Sequence, residues 1–290
     1  MIGEELATSL GNLAESVTRG EEERLFRRGH LSELARSTSR PLIKAGEAGD
    51  PRSFFAAAGE LLRDTVVSHL DAADLSELSL LLLSEAERLW GERPRPEQLG
   101  GGPVPATERS RVVYVRNPLS DTAYDRFSRI LTAPTVGYRQ NFRELFDDVE
   151  NGYADYAVLP VRSGGVMIPS VSALIEERGL AVASVTRIPS EDEVLFALLS
   201  REAVALCPPS SFLLRLRLGA EKAPIALFRA LAAFGLSLAH LEMRPVPYEE
   251  GILAARLLVD VGGGDLSAFL AYLALYAPDW MGYGYFTEIP

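Results

Sequence analysis

The residues best equipped for chemistry fall in a few short stretches. Arg162-Ser163-Gly164-Gly165 follows the apolar run Tyr156 to Val161, which reads as a buried strand brought to a stop by Pro160. An arginine there can take a carboxylate through paired hydrogen bonds. Ser163 adds a hydroxyl, and Gly164 and Gly165 leave the backbone bare. Open α/β sheets bind ligands at the carboxyl ends of their strands, and the helix that follows would offer its N-terminus to an anion. Pro169 at its start removes one N–H donor. The competing reading is a plain turn. A second set, Asn117, Ser120 and Thr122, follows the run Arg111 to Val115. It would present amide and hydroxyl groups to a substrate, or Ser120 would simply cap a helix opening at Asp121.

Cations collect near the start: Arg24, Arg28, Arg36, Arg40, Lys44 and Arg52. Arg24, Arg28 and Arg36 stand four and eight residues apart, so a helix can put them on one face. Such a face can hold a dianion, or be a solvated surface, and Glu21-Glu22-Glu23 beside it raises the cost of the first option.

Other chemistries find little footing. The single cysteine, Cys207, rules out an intrachain disulfide and a thiolate zinc site, and reads as a small apolar residue. His30, His69 and His240 have no metal-ligand spacing. Neither a metal nor a cofactor is expected. The formal charge of −11, without a long basic block, argues against sequence-independent nucleic-acid binding. The opening MIGEELATSL lacks the marks of a signal peptide. SELSLLLLSEAERLW is too short and too charged at its edges to span a bilayer. No membrane partner is expected, and a cytoplasmic location is the default.

The elements that must position these residues can be read from periodicity. Residues 1–92 look helical, with Leu6, Leu10, Leu13 and Val17 on one stripe. Gly11, Gly20 and Gly29 weaken a long first helix. Asp50-Pro51 opens a second helix and Asp74 a third, whose four-leucine run suits a central helix or a dimer contact. Residues 93–110 read as a linker rich in proline, glycine and charge. From 111 to 205 short apolar strands alternate with amphipathic helices, among them 120–131, which predicts an α/β lobe with a mostly parallel sheet. Residues 210–290 run strand, helix, strand, strand, helix, strand, the last being MGYGYFTEI, which predicts a ferredoxin-like βαββαβ unit. The fold class is therefore α+β multidomain.

Two segments resemble prephenate dehydratases. Residues 140–189 share a helix ending in V-E-x-G, the strand A-D-Y-x-V-L-P, a glycine-bearing loop, then a helix and a strand. VYVRNPLSDTAYDRF sits where that family carries Gly-Pro-x-Gly-Ser-Phe-Ser. In residues 211–290, APIALF falls at the G-A-L motif of the family's regulatory ACT domain, LEMRP at E-S-R-P, and MGYGYFTEIP at L-G-S-Y-P. The resemblance implies a single lobe like half of a type II periplasmic-binding fold, then an ACT-like domain. It places Asn117, Ser120, Arg162, Ser163 and Gly164 at the substrate site, and Ala223, Ala226, Glu242 and Arg244 at an amino-acid effector site. The plainer alternative for Glu242 and Arg244 is a surface ion pair in a domain that only dimerises. The helical segment stands where fused members carry a chorismate mutase. That activity needs several cations and no nucleophile, and Arg24, Arg28 and Arg36 are its candidates.

The chain departs from the family in telling places. The substrate loop reads Glu-Asn-Ser in the family and Arg162-Ser163-Gly164 here. A second lobe ending in Thr-Arg-Phe has no counterpart, and a one-lobed cleft cannot exclude water or orient its substrate. The resemblance thus implies a degenerate protein of phenylalanine metabolism that binds or regulates, with mutase activity as the alternative. Its partners would be an aromatic amino acid or a prephenate- or chorismate-like molecule, and a second copy through the ACT-like and helical domains.

Overall fold

The computed structural model describes residues 2–45, 49–63, 70–100, 109–202, 204, 206, 210–219, 224–246, 248–277 and 279–290. Ala223, Cys207, His69 and most of the glycine-rich part of the expected linker lie outside them. The chain forms helices and two sheets, a mixed α and β architecture.

Helix α1 (Ile2–Ala45) is one uninterrupted helix of 44 residues that absorbs all three early glycines and Pro41. Residues 21–30 are all exposed, and Leu31, Ala35, Thr38, Ser39 and Leu42 are buried. Asp50 precedes α2 (Pro51–Arg63) and accepts from the backbone and hydroxyl of Ser53 at 3.0 and 2.7 Å. Asp71, not Asp74, caps α3 (Ala72–Trp90), accepting from Ala73 N and Asp74 N. A short α4 (Pro96–Gly100) follows.

The first sheet is built from β1 (Arg111–Val115), α5 (Pro118–Phe127), β2 (Thr135–Arg139), α6 (Phe142–Glu150), β3 (Tyr156–Ser163), β4 (Val166–Met167), α7 (Pro169–Arg178), β5 (Ala181–Ile188) and β6 (Val194–Ser200). The second follows as β7 (Ser211–Leu218), α8 (Pro224–Ala233), β8 (Ser237–Pro245), β9 (Leu253–Asp260), α9 (Leu266–Tyr276) and β10 (Met281–Phe286), the split-βαβ order, and β11 (Glu288–Ile289) closes the series.

The seven-stranded sheet runs β11-β5-β6-β3-β1-β2, with β4 on β3. β1 is parallel to β2 and β3, but β6 is antiparallel to both β3 and β5, so the sheet is mixed. The reason is local. Residues 189–193 link β5 to β6, and a parallel crossover needs about a dozen residues or more. The second sheet runs β10-β7-β9-β8, all antiparallel.

MGYGYFTEI divides between the sheets instead of forming one strand. β10 pairs with β7, and after Thr287 the chain crosses so that β11 pairs in parallel with β5. The Ser184 and Thr186 hydroxyls donate to Thr287 O and Ile289 O, each at 2.8 Å.

One core joins the ends of the chain. α8 and α9 cover one face of the second sheet, and α2 and α3 pack on α9 in turn. α9 is apolar on every side because it is sandwiched between a sheet and helices. A Cβ at Gly59 would stand 2.5 Å from Ala274 O, so α2 crosses α9 nearly backbone to backbone. The opposite face of the second sheet turns Leu213 and Leu258 towards the core of the first, beside α6 and α7.

Candidate functional site

Where the two sheets meet they leave a cavity of about 400 Å³. Its wall is mostly apolar, with Val161, Ile175, Val182 and Leu195 from the first sheet's side and Leu213 and Leu258 from the second. Arg162, Arg187, His240, Glu242 and Arg256 are the polar side chains that line it.

Arg162 arrives there through a defect in the strand. β3 does not stop at Pro160; it continues to Ser163 with a register shift against β6 between Pro160 and Arg162. Proline lacks the ladder donor and is tolerated in a strand at a bulge. Neighbouring strand residues normally point to opposite faces, yet Val161 and Arg162 both line the cavity. A bulge re-aims a side chain in this way. The loop expected at 162–165 is the tip of a hairpin. Arg162 pairs with Met167 and Ser163 with Val166, and Gly164 and Gly165 make the turn with φ of +56° and +80°. Two positive φ angles in succession describe the turn that best fits strand twist, and glycine adopts them without strain.

The four charged side chains differ in their commitments. Arg187 pairs with Glu288 at 2.6 Å and Glu193 at 3.2 Å. The hydrogen bond to Glu288 holds its pKa above the ordinary arginine value. Neither carboxylate lines the cavity. Arg256 pairs with Glu242 at 3.5 Å, and Glu242 also holds Arg244. Arg162 is half-buried and makes no side-chain hydrogen bond or ion pair among the described residues. An apolar chamber with an uncommitted guanidinium can hold the carboxylate of an apolar molecule.

The residues singled out in the sequence are distributed unevenly around this chamber. Arg162 and Glu242, assigned to separate substrate and effector sites, line the same cavity. Ser163 and Arg244 adjoin it without lining it, and Gly164 sits in the turn while Gly165 reaches the wall. Ala226 packs on the helix side of the second sheet, where its carbonyl accepts from Tyr272.

Asn117 and Ser120 are elsewhere. Asn117 caps α5, which opens at Pro118, two residues before the expected start, because proline suits the first turn. Asn117 Oδ1 accepts from Ser120 N at 2.9 Å, and its amide donates to Ser120 Oγ at 2.8 Å and Val115 O at 3.2 Å. Thr122 donates to Pro118 O. The polar atoms of this set are engaged by their own helix.

Arg24, Arg28 and Arg36 lie on the exposed side of α1. Arg28 pairs with Glu77 at 3.0 Å and Arg36 with Glu85 at 3.7 Å, while Arg27 reaches Asp74. Both partners in each series are eight residues apart, so the helices run in parallel register and their charges zip together. Glu77 and Glu85 were the unread signal. Arg187, His240 and Arg256 escaped sequence reading because a polar residue on one face of a strand is ordinary; only the docking of the sheets encloses them.

No protein-family model matches the chain, and no curated protein matches it. Among solved structures, GqqA, described as a novel type of quorum quenching acylase, aligns at a TM-score of 0.49 and 19% identity. The alignment covers 61% of this chain and 94% of that one. The prephenate dehydratase of Streptococcus mutans aligns at 0.48 and 19% identity, over 62% of this chain and 100% of its own. That of Arthrobacter aurescens, in complex with L-Phe, aligns at 0.44 and 12% identity, over 61% of this chain and 90% of its own.

Proposed function

We propose that this protein works by binding, and that the cavity between its two sheets holds a small molecule with an apolar body and an acidic group. The observation that carries the reading is Arg162, uncommitted in a chamber whose wall is otherwise largely aliphatic. The size fits, since small-molecule sites run from about 300 to 1,000 Å³.

The finer reading rests on the sequence resemblance. It makes residues 111–205 a lobe like the first half of a prephenate dehydratase, 210–290 an ACT-like regulatory unit, and 1–92 a helical unit in the mutase position. It sets a cytoplasmic, dimeric protein in phenylalanine metabolism, where aromatic acids supply ligands of the required make-up. Turnover of chorismate by the helical unit is the competing proposal; Arg28 and Arg36 would have to leave Glu77 and Glu85 to serve it.

The test uses the full chain. Titration calorimetry with phenylpyruvate, prephenate and L-phenylalanine should find at least one ligand, and Arg162→Gln should weaken it about tenfold or more, as expected for losing a charged hydrogen bond. Steady conversion of chorismate to prephenate would overturn the binding reading, as would failure of all three compounds to bind at millimolar concentration.

A further inference from the structure

The balance of charge around the cavity bears on which acid it accepts. Taking the cavity to be a ligand site, as proposed above, we infer that it selects apolar carboxylic acids without an ammonium group over the corresponding α-amino acids. The two classes share body and carboxylate, and differ by one cation at the α-carbon.

Three arginines and one glutamate line the chamber. A carboxylate entering it meets Arg162, which has no side-chain partner to surrender among the described residues. An ammonium has no comparable reception. Among the described residues Glu242 is the only carboxylate in the lining, and it already holds Arg256 and Arg244. To take an ammonium it must share its charge with the two arginines it already holds or release one of them.

Main-chain acceptors do not replace it. β6, β7 and β9 are paired on both sides where they line the chamber, so their carbonyls serve those partners, and Val161 O of β3 accepts from Ile168 N. β8 is an edge strand, but it reaches the chamber through Ala239, His240 and Glu242, beside Arg256. An ammonium would lose its water, gain at most a shared acceptor, and sit among like charges.

The experiment compares four probes on the full chain by titration calorimetry: 3-phenylpropionate, phenylpyruvate, L-phenylalanine and 3-phenylpropanamide. The expected order places both acids about tenfold or more ahead of the amino acid and the neutral amide. Arg162→Gln should erase the acid's lead over the amide, with an unchanged circular dichroism spectrum showing that the variant is folded. Should that variant fail to fold, the amide and the salt dependence of 3-phenylpropionate binding answer for the wild type, since a cation-held acid weakens as salt rises. L-phenylalanine binding as tightly as 3-phenylpropionate would overturn the inference and leave the cavity a ligand site. Binding of none of the four would overturn both.

Discussion

Arg111 and Asp155 show how much a single pair settles. Asp155 takes Arg111 Nη2 at 2.7 Å, Nε at 3.1 Å and the Arg111 backbone N–H at 2.8 Å, so it anchors the start of β1 beside β3. Partial burial pushes its carboxyl pKa up, but the hydrogen bonds from Arg111 outweigh this and hold it below the ordinary value. A depressed carboxyl stabilises the fold fully above its unfolded pKa and loses that contribution as pH falls through the folded one. The loss therefore lies below about pH 4. Urea midpoints measured from pH 6 to pH 3 should fall less steeply in Asp155→Asn than in the parent; equal slopes would deny the pair this role. The α1–α3 zipper belongs to the same scale. Its arginines are exposed and Arg28–Glu77 is the most open of its pairs, so a double-mutant cycle on Arg28 and Glu77 should return a coupling below about 1 kcal/mol. A larger value would mean that the helices depend on their charges rather than on Leu31, Ala35 and Leu42. At this scale the sequence exposed Arg162 but hid Arg187 and Arg256, because the first stands out beside glycines and the others pass as ordinary strand residues until a second sheet closes over them.

Among the elements, agreement between sequence and structure follows the strength of local signals. Asp50-Pro51 announces α2 at its first residue, whereas the cap of α3 is Asp71, three residues before the expected Asp74. The early glycines argue for breaks, yet α1 runs through them, for a helix tolerates a glycine at a cost of about 1 kcal/mol. The alternation of strands and helices argues for a mostly parallel sheet, yet the short 189–193 link makes β6 antiparallel to both neighbours, and nothing in MGYGYFTEI marks Thr287 as the crossing point. Gly59 is likewise silent in sequence and decisive in space. Gly59→Val should force α2 away from α9 and cost about 1–3 kcal/mol, the range for overpacking. Urea unfolding followed by far-ultraviolet circular dichroism measures this; an unchanged midpoint would mean that α2 moves aside freely.

For the whole molecule, the helical segment and the C-terminal unit share one continuous core. Phe54, Leu78 and Leu82 from the first meet Phe269, Leu270 and Tyr272 from the second in that cluster, all essentially without solvent exposure. Residues 93–290 expressed alone would bare the outer side of α9. That fragment should bind a hydrophobic dye or associate, and adding residues 1–92 in trans should reverse both; a monomeric, dye-silent fragment would contradict the shared core. Local periodicity reports the elements faithfully but says little about which of them unite.

The crossing at Thr287 also sets a schedule. Ser184 and Thr186 wait for acceptors that lie 103 residues further along the chain. At about 5–20 residues per second of synthesis, the outer flank of β5 stands unpaired for roughly 5–20 seconds after it emerges. An unpaired strand edge is a template for any other strand. During that interval the newborn lobe is open to chaperones and to neighbouring nascent copies alike, and β11 ends the exposure when it arrives.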